Sequence, residues 1–150
     1  MKVGIGADHR GFKLKEFLKT FLAKIGYEVK DFGVFSEDPA DYPDVALALT
    51  KDCIKRKIKR GILICGSGLG MSIAANKVKG IRATLCLNEA MAKMARNHND
   101  SNVLVLAADF TTKTMARKIL KVWLTEDFLG GRHKRRLKKI SQYFEKSKLR

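Results

Sequence analysis

Residues 61–71 read GILICGSGLGM and set a thiol beside a glycine-rich loop. Ile62, Leu63 and Ile64 form an apolar run that predicts a buried parallel strand. That strand delivers Cys65 to its carboxyl end, the edge where open α/β sheets bind their ligands. The loop Gly66, Ser67, Gly68, Leu69, Gly70 then runs straight into a helix expected to begin near Met71. Its glycines let peptide N–H groups turn inward and form an anion-binding nest at the positive end of that helix. Such a nest favours the anionic form of a neighbouring thiol and stabilises an oxyanion generated next to the sulfur. Several chemistries could use a thiol so placed.

Three further clusters carry polar chemistry. The first expected strand ends in Asp8, His9, Arg10 and Gly11. In a parallel sheet its end can lie beside that of the cysteine strand, so Asp8 and His9 could face Cys65 and Ser67. An Asp–His pair supplies an acid/base that titrates near neutrality. Asp8 could equally cap the following helix, with His9 only a loop residue. Arg96 to Asp100 (RNHND) places His98 and Asn99 between a helix and a strand, where an Asn/Asp-rich turn is the competing reading. In Gly130 to Arg136 (GGRHKRR), Arg132 and Arg136 are four apart, so on a helix they share one face and could clamp a phosphate. The competing reading there is a basic helix start that stays solvated. No Walker A string exists, and the dinucleotide fingerprint G-x-G-x-x-G counted from Gly66 fails at Met71.

The elements that must position these residues alternate regularly. Strands are expected at Val3–Gly6, Tyr27–Phe32, Gly61–Cys65, Ile81–Leu87 and Asn102–Ala107. Helices are expected at Phe12–Ile25, at about 44–58, from the nest to about Val78, at Glu89–Arg96, at Thr111–Leu124, and from Arg132 onward. Repeated β-α units with short connections predict a five-stranded parallel sheet covered on both faces, a Rossmann-like or flavodoxin-like three-layer sandwich. The whole chain, 1–150, is expected to be one domain. Its last helix, 132–150, is too charged for a core layer and is expected to reach over a neighbour or a site.

Composition bounds the function. The chain has 150 residues, 45% hydrophobic and 31% charged, with no run near the length that spans a bilayer. The first residues lead straight into a strand and then polar residues, unlike a signal peptide. Three scattered cysteines form neither a disulfide framework nor a zinc site, and a cytoplasmic location is expected. The net charge of +16 is concentrated in Lys51–Arg60 and Arg132–Arg150. Nucleic-acid binding needs a footprint on one face. Without aromatic interleaving or a recognisable motif, the positive segments are read as solvated surface, and nucleic acid is not expected as a partner.

Together the strings GADH with Gly11, DYPD (41–44), GILICGSGLGMSIAANK (61–77), GIRA (80–83), HND with Asn102 and Val103, and GGRH with Arg136 resemble the ribose-5-phosphate isomerase B type, which includes galactose-6-phosphate isomerase subunits. The resemblance covers nearly the whole chain. It implies aldose–ketose isomerisation of a sugar phosphate without metal or organic cofactor. Ribose 5-phosphate is the first expectation; a hexose 6-phosphate, a tetrose phosphate, or a non-catalytic nucleic-acid-associated role on the same fold are alternatives. By similarity Cys65 moves a proton between C1 and C2 through a cis-enediolate, and Ser67 hydrogen-bonds the reacting oxygens. The N–H groups of Gly66, Gly68, Leu69 and Gly70 would hold the enediolate. His98, with Asp8 nearby, is implied as the ring-opening acid/base. His9, Arg132 and Arg136 are implied as phosphate ligands, and Tyr42 and Asn99 as lining the sugar. The family's site lies between subunits, so a homodimer or tetramer is implied. One departure stands out: the family's Gly-x-Arg after the fifth strand is Ala107-Ala108-Asp109 here. Arg10, at a position ordinarily small or apolar, is the candidate replacement in the phosphate site.

Overall fold

Three consecutive apolar residues before Cys65 require burial on both sides of a strand, and the structure, a computed structural model describing residues 1–146, supplies it. Its elements are β1 (Lys2–Ala7), α1 (Phe12–Lys24), β2 (Glu28–Asp31), α2 (Tyr42–Ile54), β3 (Arg60–Cys65), α3 (Leu69–Asn76), β4 (Ala83–Leu85), α4 (Glu89–Asn97), β5 (Val103–Ala107), α5 (Lys113–Thr125) and α6 (Gly131–Lys146). All five strands are parallel, in the order β2-β1-β3-β5-β4. This is the expected covered parallel sheet. The last two strands exchange places relative to the flavodoxin order, which puts β5 directly beside β3.

Alternation along β3 divides the core. Ile62 and Ile64 point to one face, where Leu18 and Leu22 of α1, Ala92 of α4 and Ile119 and Trp123 of α5 pack. Leu63 and Cys65 point to the other, against Val45 and Leu49 of α2 and Met71 and Ala75 of α3. The helix α6 belongs to neither layer and is exposed over most of its turns. Residues 147–150 of the expected terminal helix, with the charges of Lys148 and Arg150, lie outside the described residues.

Several boundaries differ from expectation for local reasons. The second helix starts earlier than expected, because Pro43 in its first turn suits a helix start. It stops at Ile54, where Arg56 takes a left-handed conformation at φ 56°. β4 shrinks to Ala83–Leu85 because it pairs on one side only, with β5. The helix after the thiol starts at Leu69, ahead of Met71, so the loop is one tight turn.

Register then sets the site. Ala7 pairs with Ile64 and Cys65 with Ala107. The chain therefore leaves β1, β3 and β5 side by side, placing Asp8, Gly66 and Ala108 at one carboxyl edge.

Candidate active site

Cys65 is only 4% exposed, and its Sγ accepts a hydrogen bond from the N–H of Gly68 at 3.2 Å. The turn that aims this N–H depends on Gly68, which sits at φ 74° as the N-cap of α3. A side chain there would be strained, and its Cβ would come within 2.5 Å of Leu85 Cδ1. Ser67 Oγ accepts from the N–H of Leu69 at 3.3 Å. The N–H groups of Gly70 and Met71, also in the first turn, have no helical carbonyl to bond. The continuation of β5 locks the loop from the other side: Ala108 N–H donates to the Cys65 carbonyl at 2.9 Å and Asp109 N–H to that of Gly66 at 3.0 Å.

Around this loop the structure gathers Asp8, His9, Arg10 and Tyr42. Asp8 is buried, its N–H donates to Ile64 O, and its Oδ1 accepts from Gly11 N–H at 3.0 Å. Its carboxylate thus secures the β1–α1 turn. His9 Nδ1 accepts from Ala40 N–H at 3.2 Å and ties the segment before α2 to this edge. The Tyr42 ring lies on Gly70, where a Cβ would come within 2.6 Å of Cζ. The Arg10 guanidinium lies on Gly66 in the same way and forms an ion pair with Asp109. The acidic residue that departs from the family pattern is therefore matched by a cation three strands' width of backbone can hold in place: Arg10 from β1 and Asp109 from β5 meet across the β3 loop.

His98, Asn99, Arg132 and Arg136 are elsewhere. α4 runs back along the sheet, so His98 at its end lies by the amino ends of the strands. Asn102, just beyond, accepts from Gly61 N–H at the start of β3. A six-residue strand separates the two edges, roughly 17 Å along its axis. Within one chain the structure does not bring His98 to Asp8 or Cys65.

This second group is itself organised. Asn97 Nδ2 donates to Glu126 Oε2 and to Asp127 O, and Leu129 N–H donates to Asn97 O, so the end of α5 is fastened to the end of α4. α6 then starts beside His98, whose ring stacks on His133 at 4.2 Å and 8°. His133 is a residue that the sequence reading quoted but gave no role. Partial desolvation, then His98, Arg132 and Arg136, hold its pKa below the ordinary histidine value. Arg82 donates to the carbonyls of Asn99 and Asp100 and pairs with Asp100, fixing the turn after His98. Arg132 and Arg136 are exposed on α6.

The other thiols differ from Cys65 in setting. Burial pushes Cys53 up to about 12 and Cys86 up to about 11, as expected of packing residues. Among the described residues no group of three His, Cys, Asp or Glu could hold a metal ion. No helix among them is long and apolar enough to cross a membrane.

Comparison with known proteins shows the family and the fold. The Ribose/Galactose Isomerase family model matches residues 3–140. Ribose-5-phosphate isomerase B of Clostridium thermocellum is 48% identical, with a TM-score of 0.96 over 97% of this chain and 99% of that one. Ribose-5-phosphate isomerase B of Mycoplasma genitalium, solved with bound ribulose-5-phosphate, is 38% identical, with a TM-score of 0.93 over 97% of each chain. D-erythrulose-4-phosphate isomerase of Pectobacterium atrosepticum is 38% identical over 99% of this chain and 98% of its own length.

Proposed function

The chain belongs to the ribose/galactose isomerase family and is an aldose–ketose isomerase of the ribose-5-phosphate isomerase type, and we propose that it converts ribose 5-phosphate to ribulose 5-phosphate at a site shared between two copies of itself. The observation that carries the mechanism is the Gly68 N–H aimed at a buried Cys65 Sγ at the head of α3.

Cys65 takes the proton from C2 of the open-chain aldose, and the electrons move toward the carbonyl oxygen on C1. A carbon acid next to a carbonyl is weak, so the developing enediolate needs donors already in place. The loop and first-turn N–H groups of Gly66, Gly68, Leu69 and Gly70 supply them, and Ser67 Oγ assists transfer of the hydroxyl proton between the two oxygens. The sulfur then returns its proton to C1. Tyr42, packed on Gly70, lines the sugar. No step calls for a cofactor.

The phosphate needs cations, and the carboxyl edge offers Arg10, fixed by Asp109, with His9 beside it. Arg132 and Arg136, with His98 as ring-opening acid/base and Asn99 on the sugar, come from the amino edge of a second copy. Asp8 acts by holding the β1–α1 turn. A homodimer is the smallest assembly that joins the two edges, with α6 of each copy reaching its partner. Three free cysteines fit a cytoplasmic enzyme.

The relative that acts on erythrulose 4-phosphate keeps a shorter substrate in play, and the Arg10–Asp109 pair is where the chain would choose. Turnover of ribose 5-phosphate, allose 6-phosphate, galactose 6-phosphate and erythrulose 4-phosphate, with Cys65→Ala as control, tests the reading. The highest kcat/KM is expected with ribose 5-phosphate. Higher kcat/KM for another substrate would replace the substrate assignment, and turnover surviving in Cys65→Ala would remove the mechanism.

A further inference from the structure

The fully buried side chain of Lys15 takes no part in the site as described, and its charge is placed against two physical preferences. Lys15 sits in the first turn of α1, between Leu14 and Leu18 on the buried face of the helix. Burial takes the ammonium out of water, and the positive end of a helix repels it. A methionine of similar length would pack there without either cost. The ammonium is held by Asp31, whose Oδ1 and Oδ2 accept from Nζ at 2.8 and 2.7 Å, and by Glu16 at 2.8 Å. Lys19 donates to the same two carboxylates. Burial opposes the Asp31 charge, yet hydrogen bonds from Lys15, Lys19 and Gly33 outweigh it and hold its pKa below the ordinary aspartate value.

What the pair holds is the strap of chain that joins β2 to α2. Asp31 Oδ1 also accepts from Gly33 N–H at 2.9 Å, which sets the turn out of β2. Gly33 O and Val34 N–H then bond Ala7 N–H and O at 2.7 Å each, directly before Asp8. The Phe35 ring, although 75% exposed, lies over Gly33 and has Lys15 Nζ 5.2 Å from its centroid. Lys13 and Glu37 also pair across the strap, but in solvent, where such a pair contributes little. At the far end Ala40 N–H donates to His9 Nδ1. That last bond has a chemical consequence. A neutral imidazole that accepts at Nδ1 carries its proton on Nε2, so Nε2 is fixed as a donor.

We propose that Lys15 and Asp31 are positioning residues for the isomerase: they hold the 33–40 strap, which fixes His9 as an Nε2–H donor to the substrate phosphate. This rests on the proposed place of His9 in the phosphate site. The pair acts through the strap and does not touch the sugar. It also accounts for a charge kept where an apolar residue would fold at least as well. The ion pair fixes one orientation of the Asp31 carboxylate, and with it the Gly33 turn, where an apolar contact would allow several.

The test compares the parent with Lys15→Met/Asp31→Ala, which removes both charges and the acceptor for Gly33. A second variant, Phe35→Ala, changes only an exposed ring and keeps the core intact. The His9 tautomer is read by nitrogen NMR without substrate, and KM and kcat are measured with ribose 5-phosphate. The parent should show the Nε2–H form and the double variant a mixture of the two tautomers. KM should rise about 3- to 10-fold, the worth of one neutral hydrogen bond, with kcat within about twofold. Phe35→Ala should move both readouts the same way, with KM up about 2- to 3-fold. In a His9→Ala background neither change should raise KM further. A fall in kcat at fixed KM would mean only less folded enzyme and would overturn the proposal. So would an unmixed tautomer in both variants, or a KM effect that survives in full in His9→Ala. If the parent turned over a different sugar phosphate instead, the substrate assignment would fail, while the tautomer and the KM for that sugar would still decide the role of the pair.

Discussion

The two edges of this sheet are built on different principles, and the contrast explains how the chain can carry half of a site at each. At the carboxyl edge the chemistry is made mostly of backbone: an N–H aimed at Cys65, a left-handed Gly68, and two cross-strand hydrogen bonds that pin the loop. At the amino edge it is made of side chains on a helix outside the core layers, with His98 and His133 stacked and Arg132 and Arg136 in solvent. The first edge is preorganised for an oxyanion but holds few cations. The second holds cations but no nest. Each lacks what the other has, and in the proposed dimer a second copy joins them.

Breaking the carboxyl edge should give the largest effect. Cys65→Ala removes the proton-transferring group, and kcat is expected to fall by about 10² to 10⁴ with KM little changed. A comparable loss from Cys53→Ala or Cys86→Ala would destroy the distinction between one reactive and two packing thiols. Arg10→Ala sharpens the phosphate grip on the same edge. Loss of a charged hydrogen bond, worth about 1.5–3 kcal/mol, should raise KM for ribose 5-phosphate about 10- to 100-fold at nearly constant kcat. Asp109→Ala should do less, because it frees the guanidinium without removing it. An unchanged KM in Arg10→Ala would return this pair to a purely structural role.

The fold was legible in the sequence because its signals are periodic and local. Apolar runs marked β1, β3 and β5, and the GSGLG loop after Cys65 marked a turn at a helix start. Strand order was not legible, since nothing in residues 81–107 says that β5 rather than β4 pairs with β3. Of the candidate site, the thiol followed by its glycine loop was readable from spacing, because Cys65 and residues 66–70 are contiguous. The placement of His98 was not, because a histidine at a helix end gives no hint of which sheet edge that helix returns to. His133 was missed for a similar reason: its role comes from a stack between two elements far apart in sequence.

Gly68→Ala probes the backbone construction. A left-handed alanine with Leu85 in its way should cost about 1–3 kcal/mol of stability, read by denaturant unfolding. A neutral result would mean that the turn does not need glycine. The smallest effect belongs to the amino edge. Proton-resolved titration by NMR should place His133 below the ordinary histidine value, rising toward it in Arg132→Ala/Arg136→Ala. The sign follows from linkage: with its folded pKa lowered, the contribution to stability is complete above the ordinary value and is lost as pH falls through the folded one. A His133 that titrates above the ordinary value would contradict the stack and its neighbouring cations.

Subunit mixing tests the shared site most directly. Inactive Cys65→Ala and inactive His98→Ala proteins are combined in equal amounts, unfolded and refolded together, and assayed for isomerase turnover. With Cys65 of one copy working beside His98 of another, random pairing restores one intact site in half of the dimers, about a quarter of wild-type activity. If both residues serve the same chain, every mixed dimer carries two broken sites, and no activity returns.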